Sequence, residues 1–235
     1  MADYNQYDFQ RATFDDRFAP VGWVIGRDIW QRGIEAFLFG GERLRADEWV
    51  NDIRRARLAQ PAACPRVFIS HRQVDETWAR RIAWLAWSCN FDYWLDVIDL
   101  DSARNRQVEL LEGRLGRLLL DFEKGILTAA IIEMALLNCT HVLAVMTGNT
   151  AGSQWVAYEY GRVKAPPPLS IESSCWWDAT TLPGVSFPEY MYLGPIHFTQ
   201  AAITAWLIAE QARYPSCPGT PRDAQPERSV CLPTG

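Results

Sequence analysis

From residue 66 onward, short apolar runs alternate with longer segments of helical periodicity. RVFIS at 66–70, DYWLD at 92–96 and HVLAVMT at 141–147 are largely apolar runs of strand length. DETWARRIAWLAWSC at 75–89, ILTAAIIEMALLNC at 126–139, GSQWVAYEYGRVK at 152–164 and FTQAAITAWLIAEQAR at 198–213 repeat apolar positions at three- and four-residue intervals. Such alternation predicts an open α/β fold, a mostly parallel sheet covered by helices on both faces. The prolines at 166–168 end the helix before them. The following stretch SSCWWDATTLPG reads as irregular, and EYMYLG at 189–194 reads as a further short strand.

The flanks differ in character. Residues 1–64 form an N-terminal extension with helical patterns in DIWQRGIEAFLFGG and ADEWVNDIRRARLAQ, ended by Pro61 and Pro65. The domain itself spans 65–213. Within it, Val108, Leu111, Leu115, Leu118, Leu119 and Phe122 recur at helical spacing and predict an inserted helix over about 102–123. Residues 214–235 are proline-rich with little apolar content, the composition of a surface-draped or mobile tail. On the first domain helix Trp78, Ile82, Leu85 and Cys89 share the sheet-facing stripe, whereas Trp84 and Trp87 fall off it. These two rings need cover from the extension or from a second subunit, which makes them interface candidates.

Composition narrows the function classes. The 235-residue chain is 49% hydrophobic and 22% charged, enough to bury a sizeable core. A net charge of −5 gives no basic footprint for nucleic acid, which is not expected to bind. Six cysteines without a C-x-x-C pair or metal-like spacing to histidine read as free thiols. The polar amino terminus and the absence of a long apolar run predict no signal peptide and no membrane span, hence a cytoplasmic protein. Asp92, Asp96, Asp99 and Asp101 lack the spacing of a calcium loop, so no metal is expected. No G-K-[ST] follows Gly148 and Gly152, and no G-x-S-x-G nucleophile elbow occurs.

Ligands of open parallel sheets bind beyond the carboxyl ends of the strands. That rim collects Ser70, His71 and Arg72 after the first strand, Asp96 and Asp99 after the second, and residues 147–153 after the third. On the helix that follows, Trp155 and Glu159 are one turn apart and share a face, beside an apolar stripe holding Val156 and Tyr160. An aromatic ring next to a carboxylate offers a stacking surface and a partner for sugar hydroxyls or developing positive charge. Spacing alone favours a plainer reading, with Trp155 in the core and Glu159 a solvated helix residue.

The blocks together change that balance. VFISHRQVDETWARRIAWL at 67–85, DYWLDVIDL at 92–100, IIEMALLNCTHVLAVMT at 131–147 and GSQWVAYEYGRV at 152–163 resemble, in order, the first strand and helix, second strand and BB loop, second helix and third strand, and W-x-x-x-E helix of TIR domains. The resemblance implies a flavodoxin-like sheet. It also implies an NAD-cleaving activity in which Glu159 is the catalytic carboxylate, Trp155 stacks on a ring of NAD, and Arg72, at the family's post-strand arginine position, holds phosphate or shapes the pocket. Ser70, His71, Asp96 and Asp99 complete the expected substrate contacts. One departure concerns the D-V-E pattern of some NAD-cleaving relatives, which here reads Asp96, Val97, Ile98, Asp99. The inserted helix is another, read either as a cap on the pocket or as an extension of the core. NAD is the expected substrate, with no bound cofactor. The expected products are hydrolysed or cyclic or conjugated ADP-ribose, in an immune or anti-phage signalling role. Activation by homo-oligomer assembly and a partner effector or sensor protein are further expectations from the family. The competing readings are a non-enzymatic TIR adaptor working by homotypic association and a nucleoside-processing enzyme of related fold.

Overall fold

The computed structural model describes residues 48, 51–52, 55, 64–95, 108–109, 111–150, 153–162, 172–182, 186 and 188–217. Most of the N-terminal extension, the start of the insert, Asp96, Asp99 and the tail beyond residue 217 therefore lie outside the described residues. Residues 48, 51, 52 and 55 are helical.

Five parallel strands form one sheet in the order β2-β1-β3-β4-β5. They are β1 (Arg66–Ser70), β2 (Asp92–Leu95), β3 (His141–Met146), β4 (Glu172–Trp177) and β5 (Ile196–His197). The helices are α1 (Glu76–Ser88), α2 (Asp121–Asn138), α3 (Gln154–Arg162) and α4 (Gln200–Gln211). Because side chains alternate along each strand, the sheet presents two apolar faces. Val67, Ile69, Tyr93, Leu95, Leu143, Val145 and Trp176 face α1 and α4. Phe68, Trp94 and Val142 face α2, while Ala144, Cys175 and Trp177 face α3. Helices on both faces explain why β1 and β3 are buried throughout.

Helix α1 stops where Asn90 adopts a left-handed φ of 67°, a conformation asparagine tolerates better than most residues. The Phe91 amide then returns to the Ala86 carbonyl and directs the chain into β2. Trp78 packs against Trp176 in a tilted pair, ring centroids 5.2 Å apart, with the Arg81 guanidinium over the Trp78 ring. Trp84 is buried in the same cluster, and Trp87 packs half-buried against it. Trp84 thus finds its cover within the chain, and Trp87 is partly covered in the same way.

Three sequence expectations are corrected. ESSCWW, read from Ser173 as irregular, is the strand β4, paired along its length with β3. EYMYLG is not a strand: Glu189–Leu193 form a 3-10 turn that Pro188 initiates, and the last strand is the two-residue β5. The helix expected to continue to Phe122 breaks at Gly116, whose φ of 64° belongs to the left-handed region. Residues 108–109 and 111–115 are helical, and Phe122 already belongs to α2. Arg117 grips Glu123 through two bonds of 2.8 and 2.9 Å, and Glu123 accepts the Leu120 amide at α2's start. That pairing holds the Glu123 carboxyl at about 2, far below its ordinary value.

The cysteine expectation also needs correction. Cys89, Cys139 and Cys175 are buried and form no disulfide, but Cys64 and Cys217 form one across 153 residues. Cys64 precedes β1 and Cys217 follows α4, so the bond joins the two ends of the domain. Residues 214–217, assigned by composition to the tail, are tied down by it, and the Tyr214 ring lies 6.1 Å from His141. No described helix is long and apolar enough to cross a membrane.

Closing so long a loop restricts the unfolded chain, so Cys217→Ser should lower unfolding free energy by about 2–5 kcal/mol in denaturant titration. An unchanged value would contradict the bond. For Glu123, a folded pKa below the unfolded one means its contribution is full above about 4.5 and fades as pH falls toward about 2. The stability gap between wild type and Glu123→Gln should shrink over that window; a gap independent of pH would contradict the pairing.

Candidate functional site

The chain leaves β1 toward β2 on one side and crosses to β3 on the other, so the strand order reverses between β1 and β3. In open parallel sheets such a reversal is where the loops beyond the strand ends diverge and ligands bind. Ser70, the last residue of β1, pairs with Ala144 in β3 and points to the face covered by α3. Its hydroxyl donates to Oε2 of Glu159 at 2.5 Å. Glu159 is 1% exposed, whereas Trp155, one turn earlier, is 47% exposed. Neither half of the plainer expectation holds: the carboxylate is buried against the sheet end and the indole is not core. Trp155 meets the edge of the Tyr158 ring at 5.8 Å, and the Tyr158 hydroxyl donates to Glu133 of α2. Val156 and Tyr160 form the apolar stripe that seats α3 on Ala144, Cys175 and Trp177.

The other expected rim residues sort differently. His71 is buried, and its Nδ1 lies 3.1 Å from the Ile69 carbonyl. Burial pushes its pKa below the ordinary histidine value, against the raising effect of the Ile69 carbonyl and of Asp75 and Glu76. A neutral ring donating through Nδ1 leaves Nε2 as an acceptor, and that atom has no hydrogen-bond partner among the described residues. Arg72 is exposed and donates to the Asn149 carbonyl at 2.5 Å, spanning from the β1 loop to the β3 loop. Ser70 and Glu159 thus meet at the end of β1, Arg72 reaches the β3 loop, His71 is buried between Ser70 and Arg72 in the chain, and Trp155 is exposed one turn before Glu159. Asp96 and Asp99 cannot be placed among them, lying outside the described residues.

Two carboxylates that sequence reading passed over organise this rim. Asp75, buried in the turn before α1, accepts Thr147 Oγ1 and Asn149 Nδ2, each at 2.8 Å. Asp178, buried just beyond β4, accepts the Thr180 amide and hydroxyl through one oxygen and Thr181 Oγ1 through the other. Thr181 Oγ1 in turn accepts the Gly148 amide at 3.0 Å. The loop after β3 is therefore held from both neighbouring strands. Gly148 lies close to Thr181, since a Cβ there would sit 3.0 Å from the Thr181 carbonyl oxygen and displace it by a few tenths of an ångström. The only sequence signal for Asp75 was an acidic residue opening a helix, which ordinarily means a cap. Among the described residues no group of three or more His, Cys, Asp or Glu could hold a metal ion.

Comparison with protein-family models, with curated proteins and with solved structures finds no match for this chain.

Gly148→Ala should weaken the Gly148–Thr181 bond and cost about 1 kcal/mol in thermal or denaturant unfolding. A variant as stable as wild type would contradict a rigid hold of this loop by Thr181.

Proposed function

We propose that this chain is an NAD-consuming enzyme with a TIR-type, flavodoxin-like fold, cleaving the nicotinamide–ribose bond with Glu159 as its catalytic carboxylate. The observation that carries the reading is the pairing of a buried Glu159, reached by Ser70 at the end of β1, with an exposed Trp155 on the same helix. The W-x-x-x-E spacing and the order of the sequence blocks support it.

The chemistry suits one carboxylate. Hydrolysis of an ordinary glycoside needs a second carboxyl group to protonate an alkoxide leaving group. In NAD the breaking C–N bond returns its electron pair to a pyridinium nitrogen, and nicotinamide departs neutral. Positive charge then develops on the ribose, where a carboxylate fixed beforehand stabilises it without reorganising. Water attacking the anomeric carbon and losing a proton gives ADP-ribose. Attack by a nucleophile of the substrate or of a second base gives a cyclic or exchanged product. Trp155 supplies the stacking surface, and the exposed Arg72 supplies charge for a phosphate. An immune or anti-phage signalling role in the cytoplasm, with assembly into a homo-oligomer and a partner sensor or effector, belongs to the same proposal.

Concentrated protein incubated with NAD should release nicotinamide, and Glu159→Gln should cut the rate by about 10²-fold or more while leaving the melting temperature within a few degrees. No release under assembly-promoting conditions, or full rate in Glu159→Gln, would sink the enzymatic reading and leave the homotypic adaptor in its place.

A further inference from the structure

We infer that Asp75 is a positioning residue, a buried pin that fixes the loop after β3 and through it the seat of Trp155 and Glu159 on α3. As to turnover this rests on the reading above; as to loop order it stands alone.

Asp75 is 2% exposed, and its two oxygens are shared out, Oδ2 to the Thr147 hydroxyl and Oδ1 to the Asn149 amide. Asp75 is far from these partners in sequence, so the bonds are not a local turn. They join the β1–α1 connection to the β3–α3 connection. A capping role does not account for them, because the Asp75 side chain makes no cap bond to α1. Burying a carboxylate is costly unless its lone pairs are filled, and here the fillers are the loop's own side chains.

The loop passes the constraint onward. Thr147 Oγ1, while donating to Asp75, accepts the Asn149 amide at 3.0 Å. The Thr147 amide donates to Thr150 Oγ1, which donates to the Val145 carbonyl in β3. The Thr150 amide returns to Thr147, the Ser153 amide to Thr150, and Ser153 Oγ accepts the Val156 amide in the first turn of α3. Arg72 adds a second tie to the Asn149 carbonyl. A continuous hydrogen-bonded path therefore runs from Asp75 to the turn of α3 that carries Trp155. Glu159 follows one turn later and meets Ser70, only five residues before Asp75 in the chain.

The Asp75–Asn149 contact can be reversed, which separates pinning from mere packing. Asn149→Asp sets two carboxylates against each other. Adding Asp75→Asn restores the pair with the amide on the other side, and the new amide oxygen can still accept from Thr147. Hydrogen exchange of the amides of Asn149, Thr150 and Ser153 and of the first turn of α3 should rise about tenfold or more in Asn149→Asp. In the double variant it should return to within about threefold of wild type. Nicotinamide release should follow the same fall and recovery, through kcat rather than KM. If Asn149→Asp does not fold, Thr147→Val removes the bond to Asp75 together with the acceptor of the Asn149 amide, without adding charge, and should raise the exchange of Thr150, Ser153 and the first turn of α3, which keep their own acceptors, about fivefold. Unchanged exchange in the single variants, or no recovery in the double variant, would overturn the inference. A wild-type protein that releases no nicotinamide but shows the exchange pattern would uphold the pin and reject the proposed activity.

Discussion

The hydrogen bond from Ser70 to Glu159 is the contact on which the rest of the candidate site depends, because it joins the end of β1 to the helix that follows β3. A buried carboxylate on α3 can reach β1 only if α3 lies across the β1–β3 boundary. That placement follows from the strand order, which leaves β1 and β3 adjacent, and from Val156 and Tyr160, which seat the helix on Ala144, Cys175 and Trp177. It also follows from the loop after β3, held by Asp75 on one side and by Thr181 on the other. With the backbone fixed at both neighbours, Glu159 meets the strand end and Trp155 meets solvent.

Much of this order was legible in the chain. The apolar runs gave β1, β2 and β3, and the helical periodicity gave α1, α3 and α4 with ends within a few residues. Strand β4 was missed because ESSCWW opens on polar residues and lacks strict alternation. In the fold, Ser174 spends its hydroxyl on the Pro195 carbonyl and can be buried. EYMYLG misled for the opposite reason, a short apolar run that periodicity cannot assign. The apolar spacing from Val108 to Phe122 suits one helix, yet Gly116 and the Arg117–Glu123 pair divide it. The Cys64–Cys217 bond links two positions whose spacing carries no signal, since it depends on where the domain's ends meet.

The rim shows the same division between local and long-range information. Ser70, His71 and Arg72 are singled out because they close or follow the first strand, a position any sequence with readable strands reveals, and Trp155 and Glu159 because they share a face of the helix after the third. Asp75 and Asp178 were not, because their importance lies in partners on other loops, and a lone acidic residue near a helix start carries no mark of its burial. The spacing also misjudged degree of exposure: Trp155 and Glu159 share a helix face, but the sheet end covers one and not the other.

On the proposed reading the ends of β1 and β3 and the start of α3 form one ligand site around Glu159. Hydrogen exchange of Glu159→Gln with and without saturating NAD tests this, since on the proposed reading the substituted protein would hold NAD without consuming it. Protection confined to residues 69–72, 147–150 and the first turns of α3 is expected. No protection, or protection only elsewhere in the sheet, would contradict the claim.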